Sequence, residues 1–544
     1  MVKKLAVFCD GTWNQLRTPN LTNVAKLAKC VASSDRAHIQ QIVFYDEGVG
    51  VDSNIWGPVD RAVSFLGGAL GRGLDRKVET AYRFLVLNYD PDDEIFVFGF
   101  SRGAYTARSL CGLIRKCGIV RRDSFDKVPE ALKLYRQPVH PKDATVVSFR
   151  QQYSHPRTTG DEDNWVTAQA DANPPQPHSQ EHPRAHLFQY RKPLSYRMMY
   201  LGLWDTVGSL GVPNTWTRLR FLNKKYRFHD TEASTLLTSL RHAVALEEHR
   251  GAFDVTPVGN ILELNTKWAT ATNWNIIDAN DPRFVPYNHR PYQQLWFPGH
   301  HTNVGGSFED TGLSNATLYW IAEGAHDAGL AFRQDPLNEL WQASQTVNPM
   351  EEWHDSKGRP VPRDKARGAI ARLTGNIWRS GPQRVDEVGR TSKIRWCCNS
   401  AWRPQNLGVM RIADCVSFAP PDPPHGFPPP APGFPPDWSY AVPSAAAAQS
   451  AADQSSDETA DDKPSPGTKK EMPVPKGFLT PQQITAQASE AASSGDNHPV
   501  APIGPNELAR RARENPPPRL SSGSSAAPKE PTDTSKLDDP SKAN

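Results

Sequence analysis

The stretch 93–105 constrains the fold of this chain more than any other part of the sequence. The apolar run 95–98 ends abruptly at Gly99, and a helical pattern opens at Ser101. The apolar positions of that pattern recur three or four residues apart: Ala104, Ala107, Leu110, Cys111 and Ile114. A buried strand, a sharp turn and an amphipathic helix are therefore predicted in succession. Such a unit is typical of a sheet that carries helices on its faces.

The turn itself, Gly99-Phe100-Ser101-Arg102-Gly103, fits the pattern G-x-S-x-G. In a nucleophile elbow of this kind, the serine lies on a tight strand-to-helix turn that projects its hydroxyl group. Gly99 and Gly103 would keep Cβ atoms out of the crowded turn. The backbone N–H of Arg102, at the helix N-terminus, is a candidate donor to an oxyanion. Ser101 is therefore the candidate nucleophile, and the alternative is a glycine-rich turn with no catalytic role.

Predicted strands and helices alternate up to about residue 330. Strands are predicted at 4–9, 41–45, 95–98, 196–204 and 295–297. Helices are predicted at 23–31, 74–85, 101–114, 231–247 and 314–330. This alternation indicates the α/β class, with an α/β-hydrolase-like, mostly parallel sheet and helices on both faces. The glycine-rich stretch 67–73 lacks the G-K-[S/T] ending of a phosphate loop, and we interpret it as a surface loop.

Composition divides the chain into one domain and a tail. We assign residues 1–415 to an α/β-hydrolase-like domain, in which about 121–192 is a polar surface insertion and a candidate lid. Residues 331–415 are a weaker helical or edge region of that domain. The sequence becomes rich in Pro, Ala and Ser after Phe418, so 416–544 is predicted to be a disordered tail. Its proline-rich segments would serve as a solvated spacer or would bind a partner in a polyproline conformation.

Bulk composition argues against several classes of function. The net charge is +3 over 544 residues, and no basic stripe with interleaved aromatic residues occurs, so no nucleic acid partner is expected.

The seven cysteines are an odd number. Cys9 and Cys111 lie within apolar patterns, which favours reduced thiols in a protein made in the cytosol. No Cys/His set has the spacing of a zinc site, so no metal is predicted. We expect neither a signal peptide nor a transmembrane helix.

A serine nucleophile requires a base and an acid, and α/β-hydrolases carry them in the order Ser, Asp or Glu, His. Asp205 and His301 each come directly after a predicted strand, and His301 lies in a loop flanked by glycines. Ser101, Asp205 and His301 are therefore the candidate triad. His300 is the alternative base. His242 and His249 lie on or near a predicted helix and are interpreted as structural or surface residues.

The first predicted strand runs directly into Asp10-Gly11-Thr12. The carboxyl ends of strands carry the chemistry in open α/β sheets, so a backbone N–H of Gly11 or Thr12 is a candidate second oxyanion donor. A phosphatase of the D-x-D-G-T type is the competing interpretation, but its nucleophilic aspartate would fall at position 8, which is Phe8. A plain turn capped by Asp10 also fits the pattern.

Five motifs occur in order: FCDGTWN at 8–14, GFSRGAY at 99–105, WDTVG at 204–208, RHA with EHR within 241–250, and WFPGHH with VGG within 296–306. Over roughly residues 3–330 they resemble the uncharacterised α/β-hydrolase domain family that includes lipase effectors of type VI secretion. The resemblance implies an α/β-hydrolase fold and a triad of Ser101, Asp205 and His301. It also implies phospholipase A activity on bacterial membrane lipids, as in characterised members. The chain departs from the family at Asn303, where Asp is usual, and at His300, where a small apolar residue is common.

The residues and the resemblance together predict a serine hydrolase of carboxylic esters, of the lipase or phospholipase type, that works through an acyl-enzyme without a cofactor. The alternatives are a soluble esterase or thioesterase of the cytosol and a non-catalytic interaction protein on a hydrolase scaffold. The expected partners are a lipid or other ester substrate, a membrane surface contacted by aromatic residues such as Trp13 and Trp56, and a secretion-apparatus or immunity protein. The chain is expected to be cytoplasmic as synthesised and then exported if it is an effector.

Overall fold

The computed structural model describes residues 2–11, 20–47, 69–166, 194–208, 232–333, 340, 343, 346–352, 377–399 and 401–411. All of them belong to the first of two units, Met1–Ala486, and the second unit, Gln487–Asn544, contains no described residue. The predicted tail at 416–544 and part of the predicted insertion, 167–193, therefore lie outside the described residues.

Six parallel strands form one sheet in the order β2-β1-β3-β4-β5-β6. The strands are β1 (Lys4–Cys9), β2 (Gln41–Asp46), β3 (Glu94–Phe100), β4 (Arg197–Trp204), β5 (Leu237–Ala245) and β6 (Tyr292–Phe297). Every residue of β1 and β5 is buried. Strands covered on both faces read as nearly continuous apolar runs, which explains why most of them can be recognised in the sequence.

The helices cover both faces of this sheet. They are α1 (Asn23–Cys30), α2 (Ala69–Asn88), α3 (Arg102–Cys117), α4 (Val128–Arg136), α5 (Ala144–Tyr153), α6 (Ile261–Thr272), α7 (His301–Gly305), α8 (Gly312–Asp327) and α9 (Arg390–Cys398). The chain steps from β1 to β2 in one direction and from β2 to β3 in the other, so right-handed crossovers place α1 and α2 on opposite faces. Helix α8 packs with α1, and α3 packs with α2.

The strand order reverses between β1 and β3, which are neighbours in the sheet. Loops that leave two such strands at their carboxyl ends diverge to opposite faces and open a crevice, where ligands bind in open α/β sheets. Asp10 follows β1 and Ser101 follows β3, so both flank this crevice. The predicted α/β class is confirmed.

The predicted helix 231–247 is wrong, because the chain forms strand β5 there instead. Leu236, Leu237, Leu240 and Val244 have helical spacing, but each is also acceptable in a central strand that is buried on both faces. The polar residues between them are satisfied inside the protein. Arg241 pairs with Glu323 at 2.7 Å, and His242 is hydrogen-bonded to Thr206 and Gln294.

The surface loop predicted at 67–73 is also wrong over its described part. Helix α2 already begins at Ala69, so Gly71 and Gly73 are helical. A glycine inside a helix costs only about 1 kcal/mol relative to alanine, and the strong amphipathic pattern that follows outweighs that cost.

The prediction that all cysteines are reduced thiols is wrong for Cys397, which is disulfide-bonded. Five of the described cysteines form no disulfide, namely Cys9, Cys30, Cys111, Cys117 and Cys398. The remaining one, Cys415, lies outside the described residues. Sequence spacing cannot show which thiols the fold brings together, because bonding requires Cα atoms within about 7 Å of each other.

The described part of the predicted insertion packs at the amino end of the sheet, away from the crevice. Arg150 bonds Asp163 at 2.5 Å with both side chains buried. Arg157 bonds Asp92, which precedes β3, at 2.8 Å. Ser101 lies at the other end of β3. The lid prediction can therefore concern only 167–193, which is outside the described residues.

The described part of 331–415 covers the β6 edge of the sheet. The backbone carbonyl of Trp296 accepts hydrogen bonds from the Gly389 N–H at 2.8 Å and from the Ser392 hydroxyl at 3.0 Å. A small second hydrophobic cluster forms there, and it contains Val244, Leu246, Trp296, Val388, Cys397, Trp402, Leu407 and Met410. Within the described ranges, no helix combines the length and apolar character needed to span a bilayer.

Candidate active site

The turn between β3 and α3 holds Ser101 in a strained backbone conformation. Its φ is 59° and its ψ is −122°, a region that L-residues rarely occupy. A Cβ atom on Gly99 would lie 2.4 Å from the Gly103 carbonyl oxygen, and one on Gly103 would lie 2.1 Å from the Cys9 carbonyl oxygen. Both positions therefore require glycine, because the turn is packed tightly against itself and against the end of β1.

Ser101, His301 and Asp205 lie in one line of hydrogen bonds although they are far apart in the sequence. His301 Nε2 is 2.8 Å from Ser101 Oγ, and His301 Nδ1 is 2.6 Å from Asp205 Oδ2. All three side chains are buried. Each is presented at the carboxyl edge of the sheet, since Ser101 follows β3, Asp205 follows β4 and His301 begins α7 after β6.

The ionisation of these groups suits proton transfer from Ser101 to His301. Burial alone would raise the pKa of Asp205, but the charge of Arg379 and the hydrogen bond from His301 hold it well below its usual range. Burial lowers the pKa of His301, and the hydrogen bond to Asp205 offsets that only in part. Both directions favour a neutral imidazole beside a carboxylate, which is the pair that can accept a serine proton.

Two charged residues that the sequence did not single out for a role complete this environment. Arg379 Nη1 and Nη2 lie 2.6 and 3.0 Å from the two carboxylate oxygens of Asp205. The carboxylate of Glu248 accepts the backbone N–H of His301 at 3.2 Å and is paired with Arg250 at 2.6 Å. The EHR motif pointed to Glu248 without a role, whereas nothing in the sequence marked Arg379, which lies 174 positions from Asp205.

His300, the alternative base, has a different task in this structure. Its Nδ1 accepts the Thr302 N–H at 3.3 Å and so caps α7. Its backbone N–H is bound by the Asn303 side chain at 3.1 Å, at the position where an aspartate was expected from the family. His300 therefore helps to position the turn that carries His301, and burial lowers its pKa to about 4.

The candidate oxyanion donors have different positions. Arg102 is the first residue of α3, where backbone N–H groups have no partner within the helix. The Gly11 N–H donates to the Asp10 carboxylate at 2.6 Å, and that carboxylate also accepts the hydroxyl groups of Thr22 and Tyr45. Gly11 is thus already engaged. Thr12, the other candidate on this loop, lies outside the described residues.

Aromatic rings enclose the imidazole of His301 on two sides. The ring of Phe100 lies 4.6 Å from it and that of Phe253 lies 4.9 Å from it, measured between centroids. Together with the rest of the site, these rings leave His301 buried. Within the part of the chain that the structure describes, no group of three or more His, Cys, Asp or Glu side chains is arranged to hold a metal ion.

Comparison with known proteins gives several similarities. The chain is 26% identical over 262 residues to the uncharacterized protein YEL023C of Saccharomyces cerevisiae (strain ATCC 204508 / S288c), a match that covers 46% of this chain and 32% of that protein. The chain thus spans about a third of the length of this curated relative.

Two solved structures are also similar. One is an uncharacterized protein from Pseudomonas aeruginosa, with 17% identity and a TM-score of 0.30 over 64% of this chain and 49% of that chain. The other is the Tle1 effector bound to the VgrG spike from the type 6 secretion system, with 16% identity and a TM-score of 0.23 over 56% and 51%. Residues 3–324 match the family model described as T6SS phospholipase effector Tle1-like, catalytic domain. That range is more than half of the chain, and the protein therefore belongs to the Tle1-like phospholipase effector family of type VI secretion systems.

Proposed function

We propose that this chain is a serine hydrolase of carboxylic esters, of the phospholipase type, and that it acts as a type VI secretion effector. The observation that carries the proposal is the line of hydrogen bonds from Ser101 through His301 to Asp205, built on a strained strand-to-helix turn. Membership of the Tle1-like phospholipase effector family supports the substrate class and the export route.

In the first half of the reaction, His301 Nε2 accepts the proton of Ser101 as Oγ attacks the ester carbonyl carbon. Asp205 holds the proton on His301 Nδ1, so that Nε2 is the free base, and it stabilises the imidazolium that forms. The negative charge on the carbonyl oxygen is held by backbone N–H groups, with Arg102 and Thr12 as the donors we assign.

In the second half, the imidazolium of His301 gives its proton to the departing alcohol oxygen, and the acyl group remains on Ser101. A water molecule then enters, His301 removes its proton, and the resulting hydroxide attacks the acyl-enzyme. Collapse of this second tetrahedral intermediate releases the carboxylic acid and restores the Ser101 hydroxyl. These steps require no metal or organic cofactor.

An exposed indole beside this site fits a substrate presented at a lipid surface. The two tryptophans expected to contact a membrane, Trp13 and Trp56, lie outside the described residues. Trp378 is 56% exposed, precedes Arg379 in the chain and packs edge-on against the ring of His249 at 4.5 Å. An indole that is partly exposed suits the boundary between headgroups and acyl chains.

The decisive experiment compares the full chain with Ser101→Ala on phospholipid vesicles and on a short soluble ester. We expect Ser101→Ala to lose at least about a thousandfold in kcat/KM on every substrate, because the nucleophile is gone. Ser109→Ala, on the same helix, is the matched control and should keep the wild-type rate.

The outcome also separates the alternatives. Preference for vesicles supports the phospholipase, and preference for the soluble ester supports a cytosolic esterase or thioesterase. Equal behaviour of Ser101→Ala and wild type on all esters would remove the hydrolase proposal and leave an interaction protein. Binding of a purified secretion-apparatus protein or immunity protein would be measured separately.

A further inference from the structure

Arg379 contacts both carboxylate oxygens of Asp205, although a triad requires only the hydrogen bond between Asp205 and His301. The guanidinium lies parallel to the carboxylate as a fork, with Nη1 2.6 Å from Oδ1 and Nη2 3.0 Å from Oδ2. The same two nitrogens donate to the carbonyl oxygens of Ala245 at 2.8 Å and of Phe253 at 2.5 Å. Arg379 is only 3% exposed, and Asp205 is fully buried.

These contacts decide which carboxylate oxygen faces the imidazole. Oδ1 of Asp205 receives the Ala245 N–H at 2.9 Å and Arg379 Nη1. Oδ2 receives Arg379 Nη2 and lies 2.6 Å from His301 Nδ1. A bidentate guanidinium also fixes the plane of a carboxylate, because its two N–H bonds are rigidly parallel. The orientation of the acid thus depends on a residue from the 377–380 segment at the edge of the sheet.

The same arginine belongs to a group of charged side chains around His301. Two carboxylates act on His301: Asp205 contacts its Nδ1, and Glu248 accepts its backbone N–H and favours the protonated imidazole through its charge. Two guanidiniums, Arg250 and Arg379, are paired with those carboxylates. The other titratable groups nearby are His300 next to it in the chain, Asp254 close to Arg379 and Asp205, and His242 behind Asp205.

We propose that Arg379 is a positioning residue for the triad, which orients the Asp205 carboxylate toward His301 and offsets its charge so that the His301 base is neutral at rest. This inference rests on the proposed serine hydrolase activity. Without Arg379, a buried imidazole beside two carboxylates would hold a proton more readily, and a protonated base cannot accept the Ser101 proton.

The test measures how fast Ser101 of the full chain is labelled by a fluorophosphonate as a function of pH. The acid limb is the pH range in which the labelling rate falls as the pH is lowered. Arg379→Gln removes the charge, and we expect the midpoint of this acid limb to move up by about one pH unit. The rate at the optimum should fall about 10- to 100-fold, because the acid is no longer held in place. Arg379→Lys keeps the charge but loses the fork, so its acid limb should stay near that of wild type while its optimum rate falls.

Arg395→Gln is the matched control. Arg395 is equally buried and binds the carbonyl oxygens of Pro349 and Glu351, so its loss should lower the melting temperature without moving the acid limb. If Arg379→Gln behaves like this control, the proposal is overturned and Arg379 only supports the fold.

If the Arg379→Gln variant is unfolded, a double-mutant cycle with Asp205→Asn keeps the proposal testable. Asp205→Asn leaves the Arg379 charge buried and unpaired, so adding Arg379→Gln should raise the melting temperature and change the labelling rate by less than about twofold. Equal losses in both backgrounds would overturn the proposal. If wild type itself is not labelled at Ser101, the proposed function and this inference fail together, whereas an unchanged acid limb in a labelled Arg379→Gln removes the inference alone.

Discussion

Three histidines near the crevice have different tasks that follow from their hydrogen-bond partners. His301 bridges Ser101 and Asp205, and His300 caps α7. His242 lies on β5, fully buried, where its Nε2 is 3.1 Å from both the backbone nitrogen and the hydroxyl of Thr206. His242 thereby holds the residue that follows Asp205. Of these three histidines, His301 is the one that contacts Ser101, which supports its proposed role as the base.

His242 should make the stability of the protein depend on pH. Burial lowers its pKa to about 3 in the folded state, whereas the unfolded chain binds a proton near pH 6.5. Below about pH 6.5 the unfolded state therefore holds more protons, and the free energy of unfolding falls as the pH falls. We expect His242→Gln to reduce this slope by up to about 1.4 kcal/mol per pH unit between pH 6 and pH 4. The measurement is urea unfolding at several pH values.

The exposed His140, whose Nδ1 accepts only a local N–H from Lys142 at 3.1 Å, provides the control. His140→Gln shows whether replacing an exposed histidine by glutamine changes the slope by itself. A His242→Gln protein with an unaltered slope would mean that His242 is already protonated in the fold.

The 377–380 segment joins the edge of the molecule to the crevice. The Ile377 N–H donates to the His249 carbonyl at 2.8 Å, Trp378 packs on the His249 ring, and Arg379 reaches Asp205. One short segment therefore carries both an exposed indole and a buried cation at the site. Trp378 and Arg379 can thus have separate functions: the indole can contact the substrate, and the guanidinium can orient Asp205.

Trp378→Ala tests the part of this segment that faces solvent. We expect hydrolysis of phospholipid vesicles to fall about tenfold, because a half-exposed indole contributes on the order of 1–2 kcal/mol at a membrane interface. Hydrolysis of a short soluble ester should change by less than about twofold. Ile277→Ala is the control, since Ile277 is 88% exposed and lies near Arg290 at the opposite, amino end of β6. Equal losses on both substrates would show that Trp378 supports the fold rather than lipid contact.

At the scale of the whole molecule, the two ends of the sheet are used differently. The carboxyl end carries Ser101, Asp205, His301 and the 377–380 segment. The amino end is closed by the described part of the insertion, where Arg150, Asp163, Arg115 and Glu162 form a buried ion-pair network. All described residues that form the core lie within 2–411.

A variant that ends at residue 415 should therefore keep its fold and its hydrolysis of a soluble ester within about twofold, because a Pro-, Ala- and Ser-rich segment buries little apolar area. Melting temperature and ester hydrolysis of the shortened and full chains would be compared. Loss of cooperative unfolding in the shortened chain would show that the tail contributes to the core, although its composition predicts that it does not.

The sequence by itself determined the α/β class, most of the strands and the three residues that meet at the site. Local patterns suffice for these, because a doubly buried strand reads as an apolar run, and the carboxyl ends of parallel strands converge on one edge of the sheet. Ser101, Asp205 and His301 each follow such a strand, so their proximity could be expected from order alone.

Only the tertiary structure decided the nature of 237–245, the engagement of the Gly11 N–H by Asp10 and the contact between Arg379 and Asp205. A strand that is buried on both faces can show the same apolar spacing as a helix. In β5 the polar residues Arg241 and His242 are also buried, because each has a partner inside the protein. Gly11 is engaged by its neighbour Asp10, whose carboxylate is oriented by the distant Thr22 and Tyr45. Arg379 reaches Asp205 across 174 positions. Such contacts depend on which surfaces the fold brings together, and no local pattern in the chain encodes them.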